Sequence, residues 1–300
     1  MTELLDLSTP LLMGIFLGGL YVLIALGLSL VFGVMKLINV AHGDLVILGT
    51  YFAFFIMTGV FLGHKYSILS NLAIDPILSL VIGMPILFVI GFAIQKYLMS
   101  RAFKISMEAP LLIAFGISLV IQNTCQRIWS PLSRGLTPPY ALECFSVGVI
   151  RIPLVYMLDF IAALVVMLAL REFLKRTYLG KAIDAASQDK TAASLMGINN
   201  NRVYALAFGI AMATAAIAGV FLGLTFPFTP LSGVSFLIIA FGVVIIGGLG
   251  SMLGTFIGGM ILGLAQTFGG YFLGATEQML VLYVLVLVVL AVRPQGIFGH

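Results

Sequence analysis

Asn39-Val-Ala-His-Gly-Asp44 places an amide, an imidazole and a carboxyl within six residues of a chain that is apolar on either side. Two kinds of chemistry fit that spacing. Asp44 could cap a helix beginning at Leu45 by accepting its free N–H groups, while His42 bonds a carbonyl freed by a chain break. Alternatively Asn39, His42, Gly43 and Asp44 line a polar route, where a helix N-terminus favours a carboxylate. No metal site follows, because His42 and Asp44 are only two ligands and His64 and His300 are far away in sequence. Asp159 interrupts another apolar run, a costly placement that points to function when it lies deep. Gly180-Lys181 lacks the Gly-rich run of a phosphate loop. Gly-Xaa-Ser-Xaa-Gly and a Ser/His/Asp set are missing too, so no catalytic residue and no cofactor is assigned. Cys125 and Cys144 have neither metal nor CxxC spacing; a disulfide between them requires that both lie on an oxidising face.

A second interruption is Gly247-Gly-Leu-Gly-Ser251. Similar apolar runs precede the two breaks, Leu30–Val34 and Phe241–Ile245. A Gly-containing helix start follows each, Leu45–Gly49 and Met252–Phe256. This suggests an internal repeat whose broken helices flank a solute path. Gly247, Gly248, Gly250 and Ser251 therefore join Asn39–Asp44 as expected pathway residues.

The elements that carry these groups must be membrane helices. Of 300 residues 61% are hydrophobic and 9% charged, against roughly 25% charged in a soluble domain. Uncharged runs long enough to span, about 20 residues, are Pro10–Met35, Leu45–Gly63, Pro76–Gln95 and Ala109–Gln126. Ile152–Leu170, interrupted only by Asp159, follows, then Val203–Thr276, which must hold several passes, and the short Gln278–Val292. The expected fold is an all-α polytopic membrane protein of about eight to nine passes, some of them half-helices, in one domain over 1–300. The first run is too long for a signal peptide and should stay in the mature chain. The net charge of +4 is too small and scattered for nucleic acid. Its cations orient the chain instead: Lys36, then Lys96, Arg101 and Lys104, then Arg171 to Arg202, then Arg293 fall on one side. That predicts an outside N-terminus and a cytoplasmic C-terminus.

Small residues recur every fourth position: Gly14 and Gly18; Ala211, Ala215, Gly219 and Gly223; Gly250, Gly254 and Gly258 beside Gly259 and Gly263. Such stripes pack helices within the chain or against a second membrane subunit. Ser130–Pro139 is turn-rich and reads as an outside loop, either a connector or a docking surface. The long polar loop is 171–202, with a helical pattern over Leu179–Met196 on which Ile183, Ala186, Ala193 and Met196 share a face. Gly197 and Ile198-Asn-Asn-Asn201 stop it. An amphipathic helix there could lie on membrane lipid or dock a soluble partner.

Ala192-Ala-Ser-Leu-Met-Gly197 resembles the "EAA…G" coupling motif of ABC importer permeases, with Thr191 where an acidic residue is usual. More specifically, the chain resembles the shorter membrane subunit of branched-chain amino acid permeases. The segments that carry the likeness are Ala25–Gly33, Ile38–Asp44, Pro110–Ser118, Gln188-Asp189 to Gly197-Ile198, Gly247–Ser251 and Arg293–Phe298. The resemblance implies an inner-membrane importer subunit without its own nucleotide site. It would work with a homologous second permease, two cytoplasmic ATP-binding subunits and a periplasmic substrate-binding protein. Asp189, Thr191, Ala192, Ala193, Met196 and Gly197 would then couple to the ATPase. The same family carries other amino acids, amides and urea. An ion-coupled secondary transporter or channel is the reading from a different class, and it would rely on Asp159 and Asp44.

Overall fold

The computed structural model describes residues 2–62, 64–65, 74–106, 108–147, 150–293 and 295–298. Its helices are α1 (Thr2–Met35), α2 (His42–Thr58), α3 (Leu80–Ala93, continued by a π-helical Ile94–Met99 and Ser100–Ala102), α4 (Ala109–Trp129) and α5 (Leu154–Arg176). Then come α6 (Tyr178–Gln188), α7 (Lys190–Leu195), α8 (Asn200–Thr225), α9 (Gly233–Gly247), α10 (Met252–Leu273) and α11 (Gln278–Val292). Among the described residues two short antiparallel strand pairs complete it: β1 (Val60–Phe61) with β2 (His64–Lys65), and β3 (Cys144–Val147) with β4 (Ile150–Pro153). Among the described residues six helices have apolar stretches of 21–29 residues, long enough to span; α2, α9 and α11 are apolar but only 15–17 residues long. Among the described residues this is the expected all-α polytopic fold. The uncharged Val203–Thr276 run resolves into α8, α9 and α10.

α1 is the axis. Leu20 to Leu26 are each 0–1% exposed, which fits a helix that is apolar all round. It packs against α5, α8, α9 and α10. The antiparallel α1–α10 seam is made by small residues: a Cβ on Gly18 would stand 2.9 Å from the Gly259 carbonyl, and one on Gly14 2.8 Å from Leu264 Cα. Ser29 and Thr255 bond across the same seam at 2.8 Å. The other stripes are also used internally. Gly219 and Gly223 receive α2 at Thr50, whose hydroxyl donates to the Gly219 carbonyl at 2.7 Å, and Gly254 and Gly258 receive α9. The idea that a small-residue stripe faces a second subunit is thereby corrected, because each stripe meets backbone of its own chain.

Cations gather at one end of the bundle. Lys96, Arg101, Lys104 and Arg202 border one cleft there, and Arg171, Lys175 and Lys181 another. At the opposite end Ser130–Pro139 is more than a connector. Arg134 and Phe228 exchange both backbone bonds, at 2.9 and 2.8 Å, and Leu136 N–H donates to Gly223 at 2.8 Å. The loop thus clamps the segment 226–232 that leads into α9. Cys125 is buried, Cys144 is exposed and both are free, so the possible disulfide is not formed.

The seam makes a direct prediction. Gly18→Val must push α1 off α10 and should lower the thermal midpoint of the detergent-purified chain, by the equivalent of about 1–3 kcal/mol for overpacking. Gly116→Val, where a Cβ meets nothing within 4 Å, should leave the midpoint unchanged. Equal midpoints for the two variants would show that the seam tolerates a side chain.

Candidate functional site

After α1 the chain turns back at Lys36, which takes the left-handed φ of 52°. It then runs without regular structure through Leu37–Asn39 and turns at Val40–Ala41 into α2, with Leu37, Asn39 and Ala41 buried and Lys36 and Ile38 exposed. Irregular backbone at membrane depth is tolerated where protein covers it. The Asn39 side-chain oxygen accepts from Ala41 N–H at 3.2 Å, and its carbonyl from His42 N–H at 3.1 Å. His42 is fully buried and bonds the Ile24 carbonyl through Nε2 at 2.8 Å. Ile24 lies 11 residues before the end of α1, about 16 Å at 1.5 Å per residue. So α2 begins well inside the bundle.

α9 begins at the same place. A Cβ on Gly43 would strike the Gly233 carbonyl, and one on Gly233 would strike the Asp44 carboxyl. Two helix N-termini therefore meet head to head, each with N–H groups that have no intrahelical carbonyl. The Asp44 carboxyl sits in the first turn of α2 and against the first residue of α9. The partial positive ends of both helices favour its oxygens there. From α4, Ser118 Oγ donates to Asp44 Oδ2 at 2.5 Å and Gln122 Nε2 to Oδ1 at 3.1 Å. Asn39 Nδ2 and His42 Nδ1 stay buried without a partner.

Gly247–Ser251 lies elsewhere. Gly33, near the end of α1, packs on Gly250, nine residues or about 14 Å along α1 from Ile24. Here α9 turns tightly into α10, with Gly248 at φ 100° and Gly250 at φ 84°. Gly247 packs on Gly254, and Ser251 Oγ accepts from Gly254 N–H at 3.1 Å to cap α10. The carbonyls released at the break are taken by the C-terminal tail: Ile297 N–H donates to Ile246 at 2.9 Å and Phe298 N–H to Gly247 at 3.2 Å. The two breaks are therefore not brought together: Asn39–Asp44 meets the start of α9 at Gly233, while Gly250 and Ser251 adjoin Asp184 of α6 at the basic end.

The polar loop is also two helices rather than one over Leu179–Met196. Asp189 breaks the run, and its Oδ1 accepts from Thr191 and Ala192 N–H at 2.7 and 3.0 Å, capping α7. Ile183, Ala186 and Ala193 face the chain's own core at 2–4% exposure, so the apolar side of α6 lies on the bundle rather than on lipid. Gly197 ends α7 at φ 82°. Ile198 N–H donates to Ala193 and Gly197 N–H to Ser194, a Schellman closure. Asn199 then caps α8 through Arg202 N–H at 3.2 Å. Thr191, Ala192, Leu195 and Met196 are exposed, the last two at 83% each.

A chain with a half-helix junction at its centre and a capped helix pair at its basic end can be compared with known proteins. Residues 11–291 match the family model described as branched-chain amino acid transport system / permease component. The chain belongs to this permease family. It is 30% identical to the high-affinity branched-chain amino acid transport system permease protein BraD of Pseudomonas aeruginosa, over 100% of this chain and 98% of that one. It is 32% identical to the corresponding permease protein LivH of Escherichia coli and to that of Salmonella typhimurium, each over 96% of this chain and 94% of the relative. The permease is a multi-pass membrane protein and a transport component rather than an enzyme.

In this permease the sequence reading missed Ser118, Gln122 and Gly233. Their signal was available: two polar residues four apart in the apolar α4, and a glycine after the Phe226–Ser232 break. It also missed the outward face of α4, where Asn123 and Thr124 are exposed beside Phe115 and Val120. Asn123 Nδ2 donates to the Leu119 carbonyl at 2.7 Å within the helix, and polar side chains are uncommon on a face turned to lipid. Asp159 is fully buried, takes a 2.7 Å bond from Thr225 Oγ1 and keeps Oδ1 free of any partner.

Ser118→Ala should remove one bond to Asp44 and destabilise the permease by about 1–3 kcal/mol. Asp44→Asn keeps the shape but turns an N–H₂ toward donors, so it should cost more. Thermal midpoints of the two variants, read with their uptake rates, rank the effects. An Asp44→Asn midpoint equal to wild type would remove Asp44 as the clasp between the two helices.

Proposed function

We propose that this permease is a membrane subunit of an ATP-driven, binding-protein-dependent importer of branched-chain amino acids. The observation that carries the reading is the near full-length match to permease components named for that transport. Its partners are a homologous second permease, two cytoplasmic ATP-binding subunits and a periplasmic substrate-binding protein. The N-terminus lies outside and the basic end faces the cytoplasm, in keeping with the side on which Lys and Arg collect.

The solute path runs along the exposed face of α4, between this permease and its homologue. Asn39, His42, Gly43 and Asp44 lie directly behind that face and hold the α2–α9 junction. Gly247, Gly248, Gly250 and Ser251 form the hinge at its cytoplasmic end, next to α6. Coupling passes through α7: Asp189 and Gly197 shape it, Thr191, Ala192 and Met196 with Leu195 meet the ATP-binding subunit, and Ala193 anchors it to the bundle. Thr191 offers no charge in this contact, so small and apolar surfaces carry it.

Reconstitution of the permease with all partners should give ATP-dependent uptake of leucine, isoleucine or valine, and the permease alone should give none. A panel including amides and urea reads the substrate. ATP-independent uptake by the isolated chain would refute the importer reading. For coupling, Leu195→Glu with Met196→Glu should release the ATP-binding subunits without moving the thermal midpoint of the membrane chain. Ala193→Leu should instead lower that midpoint, by about 1–3 kcal/mol of overpacking. Full subunit retention and normal uptake in the Leu195/Met196 double variant would end the α7 assignment.

A further inference from the structure

A cleft of about 530 Å³ at the basic end lies between the close of α3 and the start of α8. Lys96, Arg101, Lys104 and Arg202 border it together with Ser100 and Asn201, and no carboxylate does. The π-helical turn Ile94–Met99 shifts the register of α3 here, a distortion common at functional sites. Lys96 Nζ lies 5.7 Å from the Phe92 ring centre and 5.2 Å from that of Tyr97, which orients the ammonium at the cleft wall. Asn199 caps α8 with its own side chain, so the positive character of the cleft comes from the four side chains.

The same seam continues as an apolar groove of about 390 Å³ walled by α3, α5 and α8. Phe88, which lines the groove, stacks at 6.4 Å on Phe92, which lines the cleft. On α8, Leu206 of the cleft precedes Ile210 of the groove by one turn. The one hydroxyl in the groove, that of Thr214, is taken by the Ala211 carbonyl at 2.8 Å. From Lys96 to Met84 at the far end is 12 residues, about 18 Å, close to half of a hydrocarbon core about 30 Å thick. A cluster of cations at headgroup level, opening onto an apolar groove one leaflet deep, has the charge and dimensions of a lipid.

We infer that the α3–α8 seam binds one anionic phospholipid, its phosphate among Lys96, Arg101, Lys104 and Arg202 and an acyl chain in the groove beside Phe88 and Ile210. Basic pockets between helices at the membrane surface favour such headgroups. The site is separate from the α2–α9 junction and from α7, and it does not depend on which solute is carried.

The test uses the full chain, delipidated in neutral detergent, and native mass spectrometry with added phosphatidylglycerol, phosphatidylethanolamine or inorganic phosphate. One phosphatidylglycerol should bind about tenfold or more tightly than phosphatidylethanolamine, a preference that Lys96→Gln with Arg202→Gln abolishes. The pair Arg101→Gln with Lys104→Gln should act alike, and Lys175→Gln with Lys181→Gln, in the other cleft, should not. All these cations are exposed, so thermal midpoints should stay constant and separate lost binding from misfolding. Ile210→Trp fills the groove and should weaken phosphatidylglycerol while leaving inorganic phosphate unaffected. Equal binding of the two lipids overturns the inference, as does a preference that survives both double variants. Lipid binding indifferent to Ile210→Trp, with phosphate held equally well, assigns a simple anion site instead. Loss of the ATP-binding subunits from the double variants with lipid affinity unchanged assigns the cleft to a protein contact.

Discussion

Two helices begin in the middle of this bundle, and their first N–H groups have no water to turn to. A polar group left without a partner in hydrocarbon costs several kcal/mol, so the junction must be closed from within the protein. Asp44 anchors this junction: its carboxyl stands against the first residue of α9 and takes bonds from Ser118 and Gln122 of α4. Around it Asn39 closes its own turn, and His42 reaches across to a carbonyl of α1. Glycine at positions 43 and 233 follows from the same constraint, since a methyl at either would separate the two helix starts.

The rest of the fold presents these parts to one another. α1 supplies the wall that His42 bonds, and its own position is set by the small residues of α10. The segment entering α9 is held by its backbone pairing to Arg134, with Phe228 packed on Tyr51 at 5.0 Å. α4 brings Ser118 and Gln122 to the centre while exposing its opposite face. An inner polar clasp and an outer exposed surface thus belong to one helix, and a rotation of α4 would alter both together.

The basic end has a different physical character. Helix capping adds order there to the burial of Ile183, Ala186 and Ala193: Thr177, Asp189, Asn199 and Ser251 each accept from the backbone of the helix they begin. Gly197 and the tail residues Ile297 and Phe298 close helix ends. These bonds hold α6, α7 and the α9–α10 turn as a compact platform under α1. Leu195 and Met196 stand clear of it, and the lipid-sized seam lies to its side.

Much of this was readable before any tertiary contact was known. Low charge and long apolar runs determine a polytopic helical membrane protein, because only helices or closed barrels satisfy backbone groups in lipid. The glycine at 197 and the asparagines at 199–201 mark the end of one helix and the start of another through local backbone preferences alone. Local patterns do not report which of several breaks meet, nor which side of a short helix faces inward. The likeness between the runs before Asn39 and Gly247 did not reveal that the two breaks lie apart, since both follow apolar helices and both contain glycine. Ala193 and Met196 share a helical spacing, yet one is buried and the other exposed, because α7 ends at Leu195 and Met196 already belongs to the turn that Gly197 closes. Depth, facing and partnership arise from contacts between residues as distant as Asp44 and Gly233, and these exist only once the helices have packed.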